Sequence, residues 1–325
     1  MTMKTPSLSF FGAGGPGRLR RLFLLSAAVA VLGLAAFWFL TIPATVSAAA
    51  LGPHTPDLAN GKTMFLAASC SACHAVPLQE DSNRIGGGFG LVSQFGTFYA
   101  PNISPDTKDG IGAWNEAQFI TAMTKGTSPE GKHYFPVFPY TSYQWMKYDD
   151  LRDLFAYLKT LPPVAGESRG HEVPFPYNIR RMVGVWKLLY LDSEPFKSDQ
   201  AQSAQWNRGA YLVNGPAHCA ECHSPRNGLS AIVSGKRFSG NLIGYAKGGF
   251  PNITQSKLKD WPEAAIAEML MTGMTGDGGR VGGPMVEVVH NTSQLSVEDR
   301  AAMAAYIKSL PPIESVGAKK PKEQK

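Results

Sequence analysis

Two short stretches hold all of the chain's cysteine. "SCSACHAVP", residues 69–77, carries Cys70, Cys73 and His74, and "AHCAECHSPR", residues 217–226, carries Cys219, Cys222 and His223. Four cysteines in an exported chain can form two disulfides, but that leaves unexplained why a histidine follows each second cysteine. Zinc would draw Cys-x-x-Cys pairs from both halves of the chain, and the adjacent histidines would again have no role. The pattern Cys-x-x-Cys-His is the attachment sequence of a c-type haem. Two spacer residues put both sulfurs on one helical turn, where they can form thioethers with the two vinyl groups along one porphyrin edge. The next residue then directs its imidazole at the iron. Used twice, the motif consumes all four thiols and predicts two covalent haems.

The elements that must position these motifs also come in pairs. "YLKTLPPV" (157–164) returns as "YIKSLPPI" (306–313), and "YAPNIS" (99–104) returns as "GFPNIT" (249–254). His74 precedes Tyr157 by the same 83 residues that separate His223 from Tyr306. Matched motifs at matched spacing mark a diverged internal repeat, consistent with two domains in a chain of 325 residues. Each half reads as mainly α. A helical stretch precedes each cysteine motif ("PDLANGKTMFLAA" and "SAQWNRGAYLVN"), with apolar residues three and four apart. A middle helix, "NEAQFITAMTKG" or "PEAAIAEMLMTG", is closed by glycine. An amphipathic helix, "DDLRDLFAYLKTL" or "SVEDRAAMAAYIKSL", ends at two prolines, and Ser296 and Asp299 have capping-box spacing. The intervening segments are rich in glycine and proline, with no convincing strand alternation. Long loops of this kind usually pack around something.

The net charge of +6 resides in the tails, because residues 22–313 balance 23 bases against 23 acids. No basic patch supports binding to nucleic acid. Residues 22–42 carry no charge and follow Arg18, Arg20 and Arg21. As a helix they span about 31 Å, enough to cross a bilayer core. The flanking arginines predict a cytoplasmic N-terminus, with everything after about residue 45 exported. A cleaved signal peptide is the competing reading, since "ATVSAAA" offers small residues, but the apolar run exceeds the usual 7–15 residues of a signal core and favours a retained anchor. The expected organisation is a basic tail over 1–21, an anchor over 22–42, a first domain over 50–164, a connector with one helix over 165–200, a second domain over 201–313 and a solvated tail over 314–325.

On the strength of "NGKTMF", both Cys-x-x-Cys-His motifs, "FGTFYAPNISPD", "GIGAW", "HYFPVFPYTSY", "RGAYLVNG", "HCAECHSPRN" and the two "YxKxLPP" endings, residues 57–313 resemble tandem class I cytochromes c. The resemblance is to membrane-anchored dihaem cytochromes c similar to the cytochrome subunits of periplasmic alcohol, aldehyde and sugar-acid dehydrogenases. It implies about three helices around each haem, with Cys70, Cys73, Cys219 and Cys222 as attachment points and His74 and His223 as iron ligands. Those dehydrogenase subunits commonly carry three haems, whereas this chain has two motifs.

A methionine usually completes such an iron, and its weak thioether ligation raises the potential. Met285 in "VGGPMVEVV" occupies the family's ligand loop in the second half. In the first half Phe138 stands where many relatives have methionine, and Met146 in "TSYQWM" stands where the second half has Leu295; some relatives share this exchange, so the ligand role is carried to Met146. Met123, His133 and an open iron are the alternatives. Met269, Met271 and Met274 read as packing residues. Arg226 can pair with a propionate, Asn102 and Asn252 can hydrogen-bond near the haem edge, and Trp114 and Trp261 can pack on the macrocycle. His54, His171, His218 and His290 read as surface or internally satisfied histidines. "GGGFG" lacks the lysine and helix opening of a phosphate loop, and no nucleophile, base and orienter form a known motif.

The expected function is electron transfer on the periplasmic side of the inner membrane. The donor would be a dehydrogenase or a quinol-oxidising complex, the acceptor a soluble cytochrome or a terminal oxidase, and the chain itself would not be an enzyme. The alternative is an enzyme similar to dihaem cytochrome peroxidases, with one iron open to ligand. A redox or gas sensor would require an output domain that the sequence does not show.

Overall fold

A computed structural model describes residues 16–166, 168–241 and 249–316. The chain divides into two compact units, one ending at Ile42 and the other beginning at Pro43. In the first unit, α1 (Pro16–Leu40) begins inside the segment expected to be tail, because Pro16 suits a first helical position and the arginine- and leucine-rich stretch after it favours helix. Among the described residues this is the one helix, over Gly17–Leu40, long and apolar enough to cross a membrane. The basic tail up to residue 15 and the C-terminal tail from 317 lie outside the described residues.

The second unit is mainly α and contains both halves of the repeat. The first half runs α2 (Leu58–Ala67), α3 (Cys70–His74), β1 (Gly90–Ser93), β2 (Gly96–Tyr99), α4 (Glu116–Lys125), α5 (Tyr140–Tyr143) and α6 (Tyr148–Leu158). The connector contributes α7 (Met182–Tyr190). The second half runs α8 (Ala204–Asn214), α9 (Cys219–His223), α10 (Gln255–Leu258), α11 (Glu263–Thr272), α12 (Met285–Thr292) and α13 (Val297–Ser309). The antiparallel β1–β2 hairpin departs from the strand-free reading of the loops; Leu91 pairs with Phe98 and Ser93 with Gly96.

Side chains cap several of these helices, and the caps at α13 and at the ends of the middle helices fall where the sequence predicts. Asp57 caps α2 through the Ala59 and Asn60 amides, Ser203 caps α8, and Asn115 and Gln118 form a capping box on α4. Ser296 accepts from the Asp299 amide at the start of α13. Gly126 and Gly273 end the middle helices in the left-handed region that glycine tolerates.

In each half the helix before the motif crosses the last helix at a glycine. A Cβ on Gly61 would stand 2.2 Å from the Asp153 carbonyl oxygen, and one on Gly209 would stand 1.8 Å from that of Ala302. Any larger residue would push these helices apart, which is why both "NGKTMF" and "RGAYLVNG" carry glycine there. Around the crossings lie Met64, Ile120, Leu154 and Leu158 in the first half and Leu212, Ile266 and Met303 in the second. All belong to one continuous buried cluster that runs through both halves. The connector lies against both: Lys187 Nζ donates to the Lys125 and Gly126 carbonyls at the end of α4, and Trp186 Nε1 donates to the Leu229 carbonyl of the second half at 2.8 Å.

Candidate functional site

Each motif forms its own short helix, α3 or α9, entered through a residue in the left-handed region: Ser69 at φ 47° and His218 at φ 39°. Non-glycine residues adopt that conformation sparingly. Its occurrence at the same place in both halves shows that the kink belongs to the design. None of the four cysteines is joined in a disulfide. Burial pushes the Cys70 and Cys219 thiols up to about 12, with the neighbouring cysteine of each motif adding to it.

The two histidines are held identically. His74 Nδ1 lies 2.8 Å from the Pro101 carbonyl oxygen and His223 Nδ1 lies 2.7 Å from that of Pro251. A carbonyl only accepts, so Nδ1 carries the proton in both rings and Nε2 keeps its lone pair. Burial lowers both imidazole pKa values, which outweighs the opposing effect of the carbonyl and keeps the rings neutral. A neutral imidazole that presents Nε2 and donates Nδ1–H to a fixed acceptor is the arrangement a metal-ligating histidine requires. Beside two free thiols on the same helical turn, it fits a c-type haem.

The loop supplying that acceptor is itself tied down, again in matched fashion. Gly87 and Gly240 donate their amides to the carbonyls of His74 and His223, each at 2.8 Å. Both glycines have positive φ, and a Cβ on Gly87 would lie 2.5 Å from the Pro101 carbonyl. Asn102 Nδ2 donates to the Val164 carbonyl and Asn252 Nδ2 to the Ile313 carbonyl, each at 2.7 Å. Their Oδ1 atoms accept from the Ser104 and Thr254 amides. The asparagines, expected to reach toward the haem edge, spend their side chains fastening the proline loop to the chain after the last helix.

Arg226 Nη2 lies 2.6 Å from Glu221 Oε2, and the side chain donates further to the Glu221 and Ser230 carbonyls, so the guanidinium braces the motif helix against the loop after it. Sequence reading missed Glu221 and Arg237. Arg237 is half-buried, with Nε 3.2 Å from Asn214 Oδ1 and a buried Nη2 without a hydrogen-bond partner, and its guanidinium faces the Phe238 and Trp145 rings. The only sequence signal was a basic pair, Lys236 and Arg237, in a stretch otherwise free of charge.

Met146 is fully buried, and its Cγ would lie 3.7 Å from a Cβ on Gly215 of the other half. Met285 opens α12 and is half-buried against the core. Met123 and His133 are buried as well, and Phe138 sits among the Tyr134, Tyr140 and Tyr143 rings. Met269 packs on the core as expected, whereas Met271 and Met274 are exposed. Trp114 and Trp261 pack against the same core.

The two attachment motifs are close to each other. His218 Nε2 lies 3.3 Å from the Ala68 carbonyl, the His218 and Tyr143 rings are 5.7 Å apart, and Ser71 Oγ lies 3.3 Å from Asn291 Oδ1 of α12. Burial and Glu221 raise the Cys222 thiol to about 11, and Cys73 of the other motif adds to that rise.

Comparison with known proteins agrees with this geometry. The cytochrome c family pattern matches residues 58–162 and again 207–311. A dihaem cytochrome c-type protein of Cereibacter sphaeroides is 43% identical over 290 residues, covering 89% of this chain and 97% of the relative. The fructose dehydrogenase cytochrome subunit of Gluconobacter japonicus is 35% identical over 264 residues, 79% of this chain but 53% of that subunit. The cytochrome c subunit of the quinone-linked alcohol dehydrogenase of Gluconobacter oxydans is 29% identical over 265 residues, 78% of this chain and 54% of that subunit. The matched segments enclose both motifs, both proline loops and both helix crossings, and the chain belongs to the cytochrome c family, with two of its domains in tandem.

Proposed function

We propose that the chain is a membrane-anchored periplasmic electron carrier holding two c-type haems, fed by a dehydrogenase and discharging to a soluble cytochrome or a terminal oxidase. The observation that carries this reading is the duplicated histidine geometry: in each half a neutral imidazole is pinned through Nδ1 to a proline carbonyl beside two free thiols. Cys70 and Cys73 would hold one haem and Cys219 and Cys222 the other, with His74 and His223 each supplying Nε2. When bound, the haems would supply one-electron iron couples. The chain's own part is to fix the imidazoles and exclude water with the buried cluster, and Met146 and Met285 would be the further residues to hold the irons. A dehydrogenase donor is supported by relatives named as dehydrogenase subunits, and a two-haem count by the dihaem relative.

The test is spectroscopic. The natively matured protein should retain its pigment in acidified organic solvent, contain two haems per chain and show the red-edge band of methionine-to-iron ligation without a high-spin signal. Met146→Ala should convert one haem to high spin. An unchanged spectrum removes Met146 as a ligand, and loss of the pigment to solvent removes the covalent haem reading.

A further inference from the structure

Glu221 occupies the second spacer position of "CAECH", where the first motif has Ala72. Its carboxylate is 11% exposed and reaches across to the other half of the repeat. Oε1 accepts from Thr141 Oγ1 at 2.8 Å and from Ser142 Oγ at 2.7 Å, while Oε2 lies 2.6 Å from Arg226 Nη2. Thr141 and Ser142 are in α5, which has no side-chain cap of its own. Met146 follows the end of α5 by three residues, and its amide donates to the Tyr143 carbonyl at 2.9 Å. Tyr143 in turn packs on His218, the residue before Cys219.

The reverse contact is weaker. The short helix that carries Met285 in the second half, α12, meets the first motif through the neutral pair Ser71 and Asn291 at 3.3 Å, with no ion involved. Two contacts of 2.8 and 2.7 Å on one side against a single one of 3.3 Å on the other couple the two halves unequally.

We propose that Glu221, although part of the second haem's attachment motif, is the positioning residue for the distal side of the first haem, holding α5, and through it Met146, by way of Thr141 and Ser142. The proposal rests on the two-haem reading above. The potential of the first haem is then set partly by the second motif, whereas the second haem owes little to the first.

A double-mutant cycle on the full-length matured protein tests this, read by potentiometric titration of both haems alongside chemical unfolding. The variants are Glu221→Gln, Thr141→Val with Ser142→Ala, and all three together. The expected result is that Glu221→Gln and the hydroxyl variant move the same midpoint in the same direction, by up to about tenfold in the reduction equilibrium, about 59 mV for one electron. The triple variant should move it no further than the larger single effect. Shifts that add, or that fall on different haems, would overturn the proposal by making Glu221 a local charge on its own haem. Reduced stability with both midpoints unmoved would also overturn it, showing a purely structural contact. The hydroxyl variant leaves the Glu221–Arg226 pair intact and gives a reading even where Glu221→Gln fails to mature. A wild-type protein without covalent haem would instead defeat the underlying reading, before any variant is made.

Discussion

At the scale of single residues, the site is a relay from asparagine to proline carbonyl to imidazole. Asn102 and Asn252 hold their loops, the loops aim the Pro101 and Pro251 carbonyls, and the carbonyls fix the His74 and His223 tautomers. Loss of a buried, fully bonded amide costs about 1–3 kcal/mol. Asn252→Ala is therefore expected to lower stability by that order in denaturant titration. It should also raise the midpoint of the second haem, because a slackened acceptor makes the imidazole a poorer donor to the oxidised iron. Asn102→Ala should do the same to the first haem; a stability loss with unshifted midpoints would break the relay. The motifs and the "PNI" loops were legible from spacing alone, but the asparagines' partners lie some 60 residues on, beyond any local pattern. Glu221 was illegible for the same reason. As a spacer in its motif it resembles any solvated acid, and only folding brings Thr141 and Ser142, about 80 residues away, onto its carboxylate.

At the scale of elements, the long helices were readable because periodicity, caps and terminal glycines all agree on them. The hairpin was not, since its four-residue strands hold too few alternating positions, and Gly90 and Gly96 read as breakers. The short helices α5 and α12 escaped similarly, having one or two turns and no cap signal. The connector helix was legible as an element, but its attachment was not. Lys187 is buried over the Tyr140 ring, with Nζ on the two carbonyls that end α4. Burial lowers its pKa to about 7 from an ordinary 10.5. Between those values the unfolded chain binds a proton that the folded chain does not, so folding gains stability as pH rises through that window and loses it as pH falls back toward 7. The difference in unfolding free energy between the wild type and Lys187→Met should therefore grow in favour of the wild type from about pH 7 to about pH 10. A difference independent of pH would show that Lys187 stays charged in the folded protein.

At the scale of the whole chain, charge and hydropathy set an apolar N-terminal helix apart from the unit that holds both motifs. The helix over Gly17–Leu40 has the length and composition to cross a membrane, and the second unit begins only at Pro43. Both motifs, both proline loops and the continuous core belong to that second unit. Every residue that fixes an imidazole in the relay, and all four cysteines, lie within it, so the potentials should not depend on residues 1–42. What the helix would supply is confinement: a carrier held at a membrane surface meets membrane-bound partners at an effective concentration set by its tether rather than by its bulk concentration. Replacing residues 1–42 with a cleavable export signal should give a soluble protein with two covalent haems and unchanged midpoints. Turnover with a membrane-bound donor should fall and recover only as carrier is added in excess, whereas turnover with a soluble donor should be unaffected. A shifted midpoint in the truncated protein would show that the first unit shapes the haem environment, and unchanged turnover at membranes would show that the tether does not govern electron delivery.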